Sequence, residues 1–151
     1  MIAAHLRQFL TDRIPLTRAM HLDVVDATTD GVTLSAPLAP NVNHRDTAFG
    51  GSASALAILS AWALLYIRLK DAFPTIRIVI QRNTMTYGRP ITGAFLATSS
   101  QKDDEAWARF EDGLRRKRRA RIHVEAVVRC GGEEVGHLDA SFVADVIPLT
   151  S

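Results

Sequence analysis

The chain has 151 residues, long enough for one domain with a real core and short for two. Hydrophobic residues make up 47% and charged residues 23%, as in ordinary water-soluble globular proteins, and a net charge of +2 is too small to imply a nucleic-acid partner. The single cysteine, Cys130, excludes an intramolecular disulfide and a cysteine metal cluster, and the five histidines are scattered, with no i,i+4 pair and no HExxH, so no metal is expected.

The first twenty residues, MIAAHLRQFLTDRIPLTRAM, have no positive region ahead of a long apolar run and do not read as a secretory signal. A cytoplasmic location is expected. Residues Ile2–Asp12 read as a helix with Leu6, Phe9 and Leu10 inward. HLDVVDATTDGVTLSAPLAP then alternates over two short runs, Leu22–Ala27 and Val32–Pro37, joined by a hairpin turn at Asp30-Gly31.

TAFGGSASALAILSAWALLYI, Thr47 to Ile67, carries no charge, and its length suits a membrane span. Its glycines, serines and alanines argue against that, because few strongly lipophilic side chains remain. The expectation is a buried helix over about Ser52–Lys70, apolar on all sides, with Ser52 as N-cap after Gly50-Gly51 and with Arg68 and Lys70 complementing the dipole of its last turn. Ala53, Ala57 and Ala61 at four-residue spacing let one face approach a sheet closely.

Further on, TIRIVIQRNTMTYGRPI places Ile76, Ile78 and Ile80 on one strand face and Arg77, Gln81 and Asn83 on the other. AFLATSSQ reads as another strand. DDEAWARFEDGLRRKRRA, acidic at its start and basic at its end, reads as an amphipathic helix with Trp107, Phe110 and Leu114 at helical spacing. RIHVEAVVRCGGEEVGHLDASFVADV gives two strands around Gly131-Gly132. The sum is an α+β chain of about six mostly hairpin-linked antiparallel strands and one long helix, with no linker or internal repeat, so residues 1–151 form one domain. A flat sheet covers one side of an apolar helix. The sheet must therefore curl around the helix, and something else, commonly a second subunit, must close the rest, which is the wrapped-helix arrangement called the hot-dog fold.

The order of elements, together with NHRDTAFGGSASALAILSAWALL, YGRPITG and RRARIHVEAVV, resembles hot-dog thioesterases over nearly the whole chain, and most closely the thioesterase domain at the C-terminus of YiiD-type proteins. The resemblance implies acyl thioester substrates on coenzyme A or acyl carrier protein and a homodimer as the smallest working unit, with assembly into a dimer of dimers left open; no membrane insertion and no cofactor beyond the coenzyme A of the substrate are expected. In phenylacetate-type relatives the helix entry carries Asn, five residues, then His-Gly-Gly. Asn43, Gly50 and Gly51 match that pattern, and Phe49 stands in the His place. The helix carboxylate of those relatives corresponds to Ile58, which can do no acid–base chemistry.

The chemistry open to these residues follows from their types. The Gly51 N–H at a helix start could polarise a thioester carbonyl, or Gly51 could simply mark a tight turn. Asn43 could hold a water through its amide or bond its own loop. His44 and Asp46 are the nearest candidates for a base, and either could instead be an inert loop residue. Phe49, Gly50 and Ser54 are candidates for contact with substrate, although Ser54 and Ser60 could instead bond back to helix carbonyls. RRKRRAR, Arg115 to Arg121, could bind coenzyme A phosphates, with Arg118 and Arg119 as the named candidates, or be a solvated helix end. Acyl thioester hydrolysis is the first expectation. A non-catalytic acyl, fatty-acid or acyl-CoA binding module is the alternative, and a dehydratase is disfavoured by Phe49.

Overall fold

Strands form where apolar residues alternate, and one sheet collects all of them. In the computed structural model, which describes residues 2–149, these are β1 (Asp23–Ala27), β2 (Val32–Ala36), β3 (Ile76–Tyr87), β4 (Phe95–Ser100), β5 (Arg119–Cys130) and β6 (Glu133–Val146). They lie in the order β1-β2-β4-β5-β6-β3, and every neighbouring pair is antiparallel. Gly131 and Gly132 at φ 59° and 82° make the tight β5–β6 turn, a backbone shape that glycine adopts without strain. β3 is not hairpin-linked to its sequence neighbour. It runs along the far edge, paired only to β6.

The inward faces of β5 and β6 (Ile122, Val124, Ala126 and Val128 against Phe142, Ala140, Leu138 and Gly136) are buried against the long helix α3 (Gly50–Leu69). Ala53, Ala57 and Ala61 are buried there as expected, and Leu56, Leu64 and Leu65 are fully enclosed, each contributing about 1.5–3 kcal/mol. By length and composition alone α3 could cross a membrane, yet eleven of its twenty residues are buried within this fold.

Two expectations about α3 need correction. Its N-cap is Phe49, not Ser52, and no side chain caps it. Ser52 lies inside the first turn with its N–H on the Phe49 carbonyl at 2.9 Å. Nor is the helix buried all round. Ser54, Ala55, Ile58, Trp62 and Tyr66, a stripe at three- and four-residue spacing, are only half-buried. The lower part of that stripe is covered from within the chain by α1 (Ile2–Arg13), whose Phe9 ring stacks on Trp62 and Tyr66 at 5.9 and 4.6 Å.

A single-turn helix, α2 (Leu16–Ala19), follows Pro15, where the sequence reading has no helix. The amphipathic helix α4 (Asp104–Lys117) begins at Asp103, which caps it by accepting from the Ala106 N–H at 3.0 Å. Phe110 and Leu114 bury its apolar face, and Arg118 ends it in the left-handed region.

One irregularity changes which residues face the helix. Between Ile80 and Arg82, β3 carries a bulge at Gln81. Ile80 lies opposite Phe142, and beyond the bulge Asn83, Met85 and Tyr87 lie opposite Ala140, Leu138 and Gly136, all on the inward face. Unbroken alternation puts Asn83 outward. The extra residue turns it inward.

Candidate active site

The entry to α3 is built by a small hairpin. Ala39–Asn41 form one 3-10 turn, whose Asn41 is buried and donates to the Met20 and Pro37 carbonyls at 3.0 and 2.8 Å. Val42 and Ala48 bridge, and the chain between them turns back on itself. Asn43 organises that turn. Its amide nitrogen donates to Thr47 Oγ1 (2.7 Å) and the Ala48 carbonyl (3.3 Å), and its amide oxygen accepts from the Arg45 and Thr47 N–H groups at 2.8 and 3.2 Å. Those four bonds use the whole capacity of an asparagine amide. Of the two roles open to Asn43, the geometry displays the one that shapes the loop.

At the hairpin tip His44, Arg45 and Asp46 are exposed, with Asp46 at φ 62°. Among the described residues, neither the imidazole of His44 nor the carboxylate of Asp46 hydrogen-bonds to another group, and no contact draws them to the helix start.

The helix start is open. Among the described residues, the N–H groups of Gly50 and Gly51 find no acceptor, no side chain caps the helix, and its first turn holds no acid. The positive end of the α3 dipole is thus uncompensated. The Phe49 ring folds across Gly51, so that a Cβ there would collide with it, and Phe49 is itself 57% exposed. From the sheet side, the Tyr87 hydroxyl donates to the Gly50 carbonyl at 3.2 Å. YGRPITG therefore has a definite task. Tyr87 holds the first helical residue, the Gly88 N–H bonds the Val135 carbonyl at 2.8 Å, and the Ile91 carbonyl accepts from the Ala48 N–H at 2.9 Å, clamping the hairpin to the sheet.

Ser54 and Ile58 continue the Gly51 face one and two turns along. Ser60 lies on the buried side, and its hydroxyl bonds back to the Ala57 carbonyl at 2.8 Å. Asn83 and Tyr87, exposed on the inward face of β3, were missed as site residues. An unbroken alternation hides Asn83, and nothing in the sequence shows that Tyr87 reaches Gly50.

Arg118 and Arg119 are not brought to this site within one chain. Tyr87, which touches Gly50, aligns through Gly136 with Val128, nine residues along β5 from Arg119, or about 30 Å of strand. Arg119 instead pairs at 3.3 Å with Asp145, which also takes Arg77 at 3.1 Å.

The family model described as "Putative thioesterase (yiiD_Cterm)" matches residues 3–146. A Chlorobaculum tepidum protein of unknown function is 27% identical, with TM-score 0.90 over 97% of this chain and 95% of its own. A Shewanella oneidensis protein titled a "putative thioesterase" is 26% identical, with TM-score 0.82 over 97% and 98%. A Pseudomonas aeruginosa protein at 21% identity and TM-score 0.83, over 95% of each chain, shares the fold. With a six-stranded antiparallel sheet wrapped around one central helix and a family match over nearly its whole length, the chain belongs to the YiiD C-terminal family of hot-dog thioesterase-like proteins.

Proposed function

We propose that the chain hydrolyses acyl thioesters of coenzyme A or acyl carrier protein at the N-terminal end of α3. The observation that carries this reading is the pair of N–H groups, Gly50 and Gly51, unpaired among the described residues, at an uncompensated helix N-terminus beside an exposed apolar ring. A thioester oxygen placed there gains negative charge as water attacks its carbon, and N–H donors in a helix start favour that charge without reorganising. The tetrahedral intermediate then expels the thiolate, which takes up a proton. The acyl chain follows the half-buried stripe from Ser54 past Ile58. Asn83, with its amide free of partners among the described residues, faces the same opening and suits the holding of a water. Asn43 acts by shaping the loop. His44 is the proposed base, on its place in the entry hairpin alone.

The working unit in this reading is a homodimer in the cytoplasm. β3 presents an unpaired edge, and Val79 on it is half exposed. Antiparallel pairing of two β3 edges about a two-fold axis sets the start of one copy's strand beside the end of the other's. The basic end of one copy then lies near the glycine end of its mate, which gives Arg118 and Arg119 a route to coenzyme phosphates that one chain alone lacks.

The test is a panel of acyl-CoA thioesters from short to long chain, followed by free thiol release. Saturable turnover supports hydrolysis. The second reading, an acyl-binding module, is favoured by one observation: Ile58, apolar and half-buried, stands where phenylacetate-type relatives place a carboxylate. Tight binding without turnover at any chain length selects it.

A further inference from the structure

The five histidines look unrelated along the chain, yet pairing of β5 with β6 brings two of them onto one small patch. In the middle of this ladder the odd-numbered residues point away from α3, since the even-numbered Val124, Ala126, Leu138 and Ala140 are buried against it. On that outer face Glu125 lies directly opposite Asp139, with His123 and His137 at the diagonal positions. Two carboxylates directly opposite each other repel. Among the described residues, no Lys or Arg comes within ion-pair distance of either. The groups gathered around them are imidazoles. His137 Nε2 lies 3.4 Å from Asp139 Oδ2 and 3.6 Å from Glu125 Oε1, and His123 Nε2 lies 3.3 Å from Asp139 Oδ1.

Those separations have a second meaning. Donor atoms at about 2.0–2.1 Å from a tetrahedral zinc ion stand about 3.3–3.4 Å from one another. One ligand atom each from Glu125, His137 and Asp139 already falls within 4.8 Å of the other two, so small side-chain rotations would bring all three onto one ion. All four side chains sit on the two strands with the longest shared ladder, so the backbone beneath them is held in register. We propose that Glu125, His137 and Asp139 form a binding site for a borderline divalent cation such as Zn2+ on the outer face of the sheet, with His123 orienting the Asp139 carboxylate. The donor set, one imidazole and two carboxylates, suits Zn2+ over soft ions that need thiolate and leaves a position for water. A cation here also cancels the repulsion between the facing carboxylates and ties β5 to β6. It is independent of the thioester site, which lies on the other face.

Chelator-stripped protein titrated with ZnCl2 by calorimetry at neutral pH tests it. One saturable Zn2+ per chain is expected, together with a rise in melting temperature. In the double variant His137→Gln, Asp139→Asn that isotherm should vanish. His123→Gln keeps the three ligands and should weaken binding about tenfold, the effect of losing an orienting partner. These side chains are a third to a half exposed, and Asp139→Asn also relieves the repulsion from Glu125, so in the absence of metal the variants should melt no lower than the parent. Absence of saturable binding overturns the proposal. So does a wild-type isotherm in the double variant, or one lost only when Cys130→Ser is introduced.

Discussion

The two ends of α3 are finished in opposite ways. At its C-terminal end the backbone is capped, with the Lys70 N–H on the Tyr66 carbonyl. Arg68 there reaches the Thr29 and Gln101 carbonyls at 2.7 and 3.1 Å while its guanidinium lies over the Trp107 ring at 4.7 Å. Burial lowers the pKa of that guanidinium, and Asp30, Asp104 and Glu111 pull it back up. It remains a cation, bonded and stacked. At the N-terminal end two N–H groups have no partner among the described residues, no side chain caps them, and the cover is one exposed phenylalanine. An end that is closed by so many contacts belongs to the scaffold. An end left polar, positive and open is where we propose that a ligand is met.

The comparison can be broken at four points. The largest effect should come from the middle, which both ends depend on. Ala57 is fully buried against the sheet, so Ala57→Glu places an unpaired charge in the core and should abolish cooperative unfolding by circular dichroism. A normal melt would show that face to be accessible. At the closed end, Arg68→Ala removes two bonds to carbonyls and the ring contact, and should cost about 2–3 kcal/mol in denaturant unfolding. Turnover per folded molecule should be unchanged. At the entry hairpin, Asn43→Ala frees four bonds in a half-exposed loop and should cost about 1–2 kcal/mol, with turnover falling too. A rate loss with an unchanged melting temperature would show instead that the amide acts on substrate. The smallest stability effect belongs to the open end. Gly51→Ala favours the helix slightly, by up to about 1 kcal/mol, yet forces the Phe49 ring off the turn. Stability and rate should therefore move in opposite directions.

Most of the fold could be read from the sequence because periodicity is local. Alternation in VTLSA or RIHVEAVV and the small residues of α3 report burial directly. The site was less legible. GG before an apolar run marks a helix start, but whether Asn43 faces substrate or its own loop depends on where Thr47 and Ala48 return. The bulge at Gln81 leaves no mark in composition, and it alone decides that Asn83 faces inward. RRKRRAR is conspicuous in sequence and remote from Gly51 in one chain. His123 and His137 are inconspicuous in sequence and adjacent in space, because a β-hairpin relates residues by the sum of their numbers and not by a fixed interval.

Thiol release from acyl-CoA by the parent and by Gly51→Ala, both verified as folded by their melting curves, tests the central claim most directly. If the open helix end polarises the thioester carbonyl, the parent turns over with saturation. The variant keeps its N–H but sets a Cβ and a displaced Phe49 ring where the thioester oxygen must approach, and it should lose at least about tenfold in kcat. Equal kcat in parent and variant would place the chemistry elsewhere.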